Sequence, residues 1–191
     1  MFSRTEIRQN LLGCLEIALF MPQARTRFSD DSDHALKSFV IPILLFPLSI
    51  IAIQLVPKSA IDVNSANVLS LLLSLRLVMS WAIFFGAVYW IAKQCERTRH
   101  FSQFVTASNW LTIPATLVYL PVAWALLSGS HSWDELYPFM LCVTGYTYLF
   151  SAYMAANILK MPFELGGFIV IINVMINDSM YEITHWVGNI L

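Results

Sequence analysis

Close to the C-terminal end of the chain stands Glu182-Ile183-Thr184-His185, a Glu-x-x-His, with Asp178 one helical turn earlier on the same face. Carboxylate-bridged metal pairs are built from that motif, but they need it twice, together with two further carboxylates. The sequence holds no second copy. Asp30, Asp31 and Asp33 place three carboxylates in one short stretch. A hard cation takes about six to eight oxygen ligands, so the run reads instead as charge that complements a helix start, with Ser32 as the expected N-cap. Cys14, Cys95 and Cys142 form neither a Cys-x-x-Cys nor a Cys/His spacing and read as small apolar or interfacial residues. Nucleophile-elbow, zincin and phosphate-loop motifs are absent from the sequence. No catalytic residue, metal or cofactor is expected, and the chain is not read as an enzyme.

What remains is a set of polar residues inside apolar surroundings. Arg76 lies within "SLLLSLRLVMSWAIFFGAVYWIA", and Asn173, Asn177, Asp178 and Glu182 lie within "LGGFIVIINVMINDSMYEITHWV". Ionisable groups in such blocks are costly and become functional candidates. Counted from the ends of their blocks, Arg76 and Asp178 fall at similar depth, roughly 10–14 Å in. The sequence therefore predicts that Arg76 approaches Asp178, with Glu182 one turn outward as a second acceptor. Two roles stay open for this cluster: mutual neutralisation that fixes packing, or a relay or amide-lined conduit.

The elements that must carry these residues are long and apolar. Of 191 residues 58% are hydrophobic and 12% charged, and the mean hydropathy is +0.65; soluble domains carry about twice that charge. The charge is missing from five blocks: residues 38–56, 70–92, 110–128, 136–159 and 165–187. Each meets the ~20-residue length that crosses a hydrocarbon core as a helix. Pro42, Pro47, Pro114 and Pro121 are tolerated there as kinks. Small residues (Gly145, Ser151, Ala152, Ala155 and Ala156 in the fourth block, Gly166 and Gly167 in the fifth) predict close helix approach.

Lys and Arg number 11. With five spans, Arg4, Arg8, Arg25, Arg27, Lys37, Lys93, Arg97, Arg99 and Lys160 fall on one side, and Lys58 alone on the other. That asymmetry places the N-terminus in the cytoplasm and the C-terminus on the opposite side. A net charge of −1 without a basic tail gives no reason to expect a nucleic-acid partner. The expected partners are the lipid bilayer and other membrane proteins or a second copy.

Residues 1–37 are read as a cytoplasmic amphipathic segment, and 38–191 as the five-helix membrane domain. The first apolar stretch is short, holds Glu16 and lacks a small-x-small cleavage site, so no signal-peptide removal is expected. As a helix it sets Ile7, Leu11, Leu15 and Ala18 on one face and Glu6, Gln9, Gly13 and Glu16 on the other, which suits a helix lying on the membrane surface or across the bundle ends. Phe101, Phe104 and Val105 predict a second short surface helix, followed by Ser108 or Asn109 as the cap of span three and Trp110 as its interfacial anchor.

Three stretches, "DDSDHALKSFVIPILLFPLS" (30–49), "RTRHFSQFVTASNW" (97–110) and "INDSMYEI" (176–183), give the chain a diffuse likeness over most of 30–191. In these it resembles the Yip family of integral membrane proteins, especially the bacterial branch. The resemblance implies five spans, a cytoplasmic N-terminus, a bacterial inner membrane and a scaffold or interaction role; the alternative is a small transporter or channel component. Eukaryotic relatives bind Rab-type GTPases, but their Asp-Leu-Tyr-Gly-Pro segment has no cytoplasmic counterpart here, since "DELYP" (134–138) falls on the other side. No active-site residues carry over.

Overall fold

The computed structural model describes residues 2–55, 66–188 and 190, and for 49–55 and 66–70 the backbone alone. Lys58 and the last residue of the first apolar block, Val56, lie outside the described residues. Every regular element among the described residues is helical: α1 (Arg4–Ala18), α2 (Ser32–Ser38), α3 (Val40–Leu55), α4 (Ala66–Gln94), α5 (Phe101–Leu127), α6 (Trp133–Leu159) and α7 (Phe163–Gly188), with 3-10 helices at Pro22–Arg27 and Thr98–His100. No strand occurs among the described residues.

Helices α4, α5, α6 and α7 are long and apolar enough to cross a membrane. Their side chains explain why they are not simply a soluble core. In the most apolar window of each, no more than 28% of residues are buried inside the chain. Leu71, Trp124, Leu141 and Met175 are each more than half exposed. A stack of helices this apolar and this uncovered requires lipid as its solvent. Trp124 and Trp186, both about two-thirds exposed or more, sit near the far ends of α5 and α7, where an aromatic belt belongs. From Phe163 to Trp186 the α7 axis rises about 35 Å, enough to span the hydrocarbon layer.

Burial concentrates at the opposite, basic end. There the last turns of α4 (Val88, Ile91, Ala92) and α6 (Ile158, Leu159) meet the first turns of α5 (Phe104, Ala107, Trp110) in one cluster. The N-terminal segment closes this end. A capping box starts α1, with Glu6 N–H donating to Ser3 Oγ (3.2 Å) and Ser3 N–H to Glu6 Oε2 (2.5 Å). Arg27 clasps Glu16 through Nη2 at 2.7 Å and Nε at 3.1 Å. His34 bridges Glu6 (Nε2, 2.8 Å) and Asp31 (Nδ1, 3.0 Å), which is satisfied when both ring nitrogens carry protons. Accordingly the imidazole is held above its usual range, first by the Glu6 bond and then by Asp31. Glu6 is held down to about 2, chiefly by the Ser3 N–H and next by His34.

Several local expectations are corrected. Asp31, not Ser32, caps α2, its carboxylate accepting from Asp33 N–H at 3.2 Å. The buried face of α1 is Asn10, Gly13, Cys14 and Ile17, so Gly13 belongs to the packed side, while Leu15 and Leu19 are 57% and 63% exposed. Cys14 is sealed in that contact, and burial pushes its thiol up to about 12. No break separates a surface helix from span three: α5 runs unbroken from Phe101, and Ser108 and Asn109 lie in its interior. Trp110 is no interfacial anchor but a core residue, 2% exposed, with Phe2 edge-on at 5.2 Å. Gly166 does sit at a crossing, its Cα side facing the Ala152 carbonyl and the Ala156 methyl, whereas Gly145 and Gly167 have open space among the described residues.

Candidate functional site

The polar residues of α4 and α7 come together, but not in the expected pairs. Arg76 on α4 extends a half-buried side chain to α7, where Nη2 donates to the Asn177 backbone carbonyl at 3.4 Å. Its guanidinium carbon stands 5.2 Å from the centre of the Tyr181 ring. A cation over an aromatic face gains electrostatic attraction without needing a carboxylate. Arg76 forms no ion pair with Asp178 or Glu182 among the described residues, and both acids are exposed. The cause is angular. Asn177 and Tyr181 are one turn apart on the face toward α4, and Asp178 and Glu182 each follow by one residue, about 100° around the helix.

Asn177 turns its amide back along α7, donating to the Asn173 carbonyl at 2.8 Å and to Asn173 Oδ1 at 3.0 Å. These two amides form one wall of a partly open cavity of about 200 Å³ lined by residues of α3, α4, α5 and α7. Across it lie Ser80 on α4 and Ser108, Asn109 and Thr112 on α5, with Pro42 and Trp81 also in the lining. Asn109 is fixed by donation to Ser38 Oγ (2.8 Å), whose hydroxyl donates to the Ala35 carbonyl (2.6 Å). Thr112 donates to the Asn109 carbonyl (2.6 Å). Ser80 is 4% exposed, and its hydroxyl has no partner among the described residues. A buried hydroxyl left so costs about 1–3 kcal/mol, and the cavity is roomy and polar enough for water to relieve it.

Asn173 and Asn177 thus reach this chamber, and Arg76 stands beside it on α4. Asp178 and Glu182 do not line it. Ser80, Ser108, Asn109 and Thr112 were not singled out as chamber residues by sequence reasoning; hydroxyls in apolar helices are common, and only their convergence marks these four. Among the described residues no group of three or more His, Cys, Asp and Glu could hold a metal ion.

No family model, curated protein or solved structure matches the chain.

Proposed function

We propose that this integral membrane protein is a scaffold or interaction protein of five spans, whose α7 is covered by a transmembrane helix of another polypeptide or a second copy. The observation that carries the reading is the pair Asp178 and Glu182. Both are exposed and without an ion-pair partner among the described residues, about 15 Å and 9 Å from the α7 terminus. Hydrocarbon does not solvate a carboxylate, so such a face calls for protein cover. The fifth span is α3. Phe39 packs on Phe85 and Phe46 on Trp81, so α3 runs antiparallel to α4 and away from the basic end. Its 16 described residues rise about 24 Å. With that span, the two termini lie on opposite sides, and the cation asymmetry puts the N-terminus in the cytoplasm. The Yip resemblance and a bacterial inner membrane belong to the same proposal.

Single cysteines at Ser179, between the two acids, and at Leu141, on the exposed face of α6, test the cover in a background lacking Cys14, Cys95 and Cys142. Labelling of native membranes with benzophenone-4-maleimide, which on irradiation inserts into any nearby C–H bond, should give a discrete cross-linked species from Ser179→Cys and none from Leu141→Cys, with mass spectrometry naming the partner. Uncross-linked monomer from both would refute the reading. Compartment reporters on both termini must report opposite sides.

A second reading rests on the polar chamber and its unsatisfied Ser80 hydroxyl: a small transporter or channel component. Ser80→Leu would fill the chamber. Loss of flux in proteoliposomes at unchanged abundance, for that variant or for Asp178→Asn, would favour transport over scaffolding.

A further inference from the structure

Three loops converge at the basic end of the bundle, and their cations are left without acids. The 3-10 helix Pro22–Arg27 is pinned at both ends by side-chain amides. Gln103 at the start of α5 donates to the Arg25 carbonyl (2.6 Å) and the Phe28 carbonyl (2.9 Å), and Asn157 near the end of α6 donates to the Pro22 carbonyl (3.3 Å). This pinning sets Arg25 beside the α4–α5 turn, which carries Arg97 and Arg99, and the α6–α7 turn, which carries Lys160. Lys160 closes α6 in a left-handed conformation (φ 55°).

His100 sits among them. Arg99 Nε donates to its Nε2 at 3.1 Å, which requires that nitrogen to be unprotonated. Burial, and then the charges of Lys160, Arg99, Arg97 and Arg25, hold the ring below its usual range. None of the four cations forms an ion pair among the described residues, although Arg27, on the same 3-10 helix, is firmly paired to Glu16. The adjacent acids in the sequence, Glu96 and Glu164, are exposed and make no bridge to them. Four uncompensated charges held on neighbouring loops repel one another, and the positive potential they share favours an anion close by. Trp90 on α4 (62% exposed) and Phe163 on α7 (50% exposed) flank this end with outward-facing rings, which sets the cations at headgroup depth.

We propose that Arg25, Arg97, Arg99 and Lys160 form a binding site for a phosphate group, presented either by an anionic lipid headgroup or by a free phosphate. Arg offers paired N–H donors matched to phosphate oxygens, and Lys adds a point charge from the facing turn. The site is independent of what covers α7, so either proposal can fail without the other.

The full chain in nanodiscs containing phosphatidylglycerol and phosphatidylcholine tests it by native mass spectrometry of retained lipid. The wild type should retain phosphatidylglycerol preferentially. Arg97→Gln/Arg99→Gln/Lys160→Gln should lose that preference, at roughly fivefold per residue removed. Arg4→Gln/Arg8→Gln/Lys37→Gln removes the same charge from the same end but outside the site and should lose clearly less retention than the site variant, because it removes only diffuse surface attraction. Single Arg97→Gln and Lys160→Gln variants keep the test usable if the triple variant does not fold, which circular dichroism will show. Millimolar inorganic phosphate separates the sources: displacement of the lipid identifies a site for phosphate as such, and persistence a site for the headgroup. Equal loss in the two triple variants, or no loss in either, would overturn the proposal.

Discussion

Replacing Gly166 by alanine should loosen the crossing of α6 and α7, whereas the same change at Gly167 should not. A Cβ at Gly166 would stand 2.2 Å from the Ala152 carbonyl oxygen and 3.1 Å from both the Ala152 carbonyl carbon and the Ala156 Cβ. These neighbours are backbone and a methyl stub, so no flexible side chain can swing aside. The two helices must part by roughly 1 Å before the contact becomes tolerable. Overpacking of this kind costs about 1–3 kcal/mol. A Cβ at Gly167 meets nothing within 4 Å among the described residues. Both variants gain the same helix propensity, about 0.8–1 kcal/mol, so their difference isolates the crossing. At about 2–4 °C per kcal/mol for a chain of this length, Gly166→Ala should melt roughly 2–12 °C below Gly167→Ala in detergent. Gly166→Leu and Gly167→Leu should widen the gap and separate cleanly in membrane abundance. Coincident melting of both pairs would refute the close approach.

The docking of α1 should weaken as pH rises. The raised His34 contributes stability that is complete below the ordinary imidazole range and is lost as pH climbs through its folded value; the depressed Glu6 contributes above the ordinary carboxyl range and is lost only as pH falls toward about 2. The protection factors of the α1 amides, which are the intrinsic exchange rates at each pH divided by the observed rates, should therefore be highest in mildly acidic buffer and fall on the alkaline side, and His34→Gln should flatten that fall; the same pH profile of protection in the variant would exclude the bridge. Gly13→Val should undock the same helix, because a Cβ there meets Phe28 Cζ at 2.7 Å and Arg27 Cβ at 2.8 Å, and limited proteolysis between α1 and α2 should rise. Arg27→Gln should also speed proteolysis there, since it removes the Glu16 clasp, with a smaller effect at high salt in the wild type than in a screened surface pair, because three hydrogen bonds fix its geometry.

Membrane class and helix placement were legible because they rest on long stretches of one composition, which neighbouring residues cannot reverse. Among the described residues, four of the five apolar blocks reappear as helices of spanning length, with ends displaced by only a few residues except at α5. At α5 the polar run Thr106-Ala107-Ser108-Asn109 resembled a helix entrance. It lies instead inside one continuous helix, because Thr106 and Asn109 are satisfied by contacts the sequence cannot display: Thr106 donates to the Ser102 carbonyl (3.0 Å), and Asn109 donates to Ser38, 71 residues away. The same holds for α1. Its expected packing face, Ile7, Leu11, Leu15 and Ala18, is not the one that packs: Asn10, Gly13 and Cys14 turn inward instead, because Phe28 and the folded-back 3-10 helix lie against a glycine there.

The intramembrane cluster shows where sequence reading reaches its limit. Depth is a linear quantity, and counting residues placed Arg76 and the α7 polar residues at a common level, where they do meet. Direction is angular, and a step of one residue turns a side chain by about 100°. Asn177 and Asp178 are both polar and adjacent, and charge complementarity favours Asp178 for Arg76. The packing of α4 on α7 presents Asn177 and Tyr181 instead, so the arginine takes a carbonyl and a ring, and the two acids turn outward. An arginine turned toward α7 and two carboxylates turned away from that contact are parts of one arrangement. The amides Asn173 and Asn177 line the chamber of this bundle, and the acids Asp178 and Glu182 face away from it.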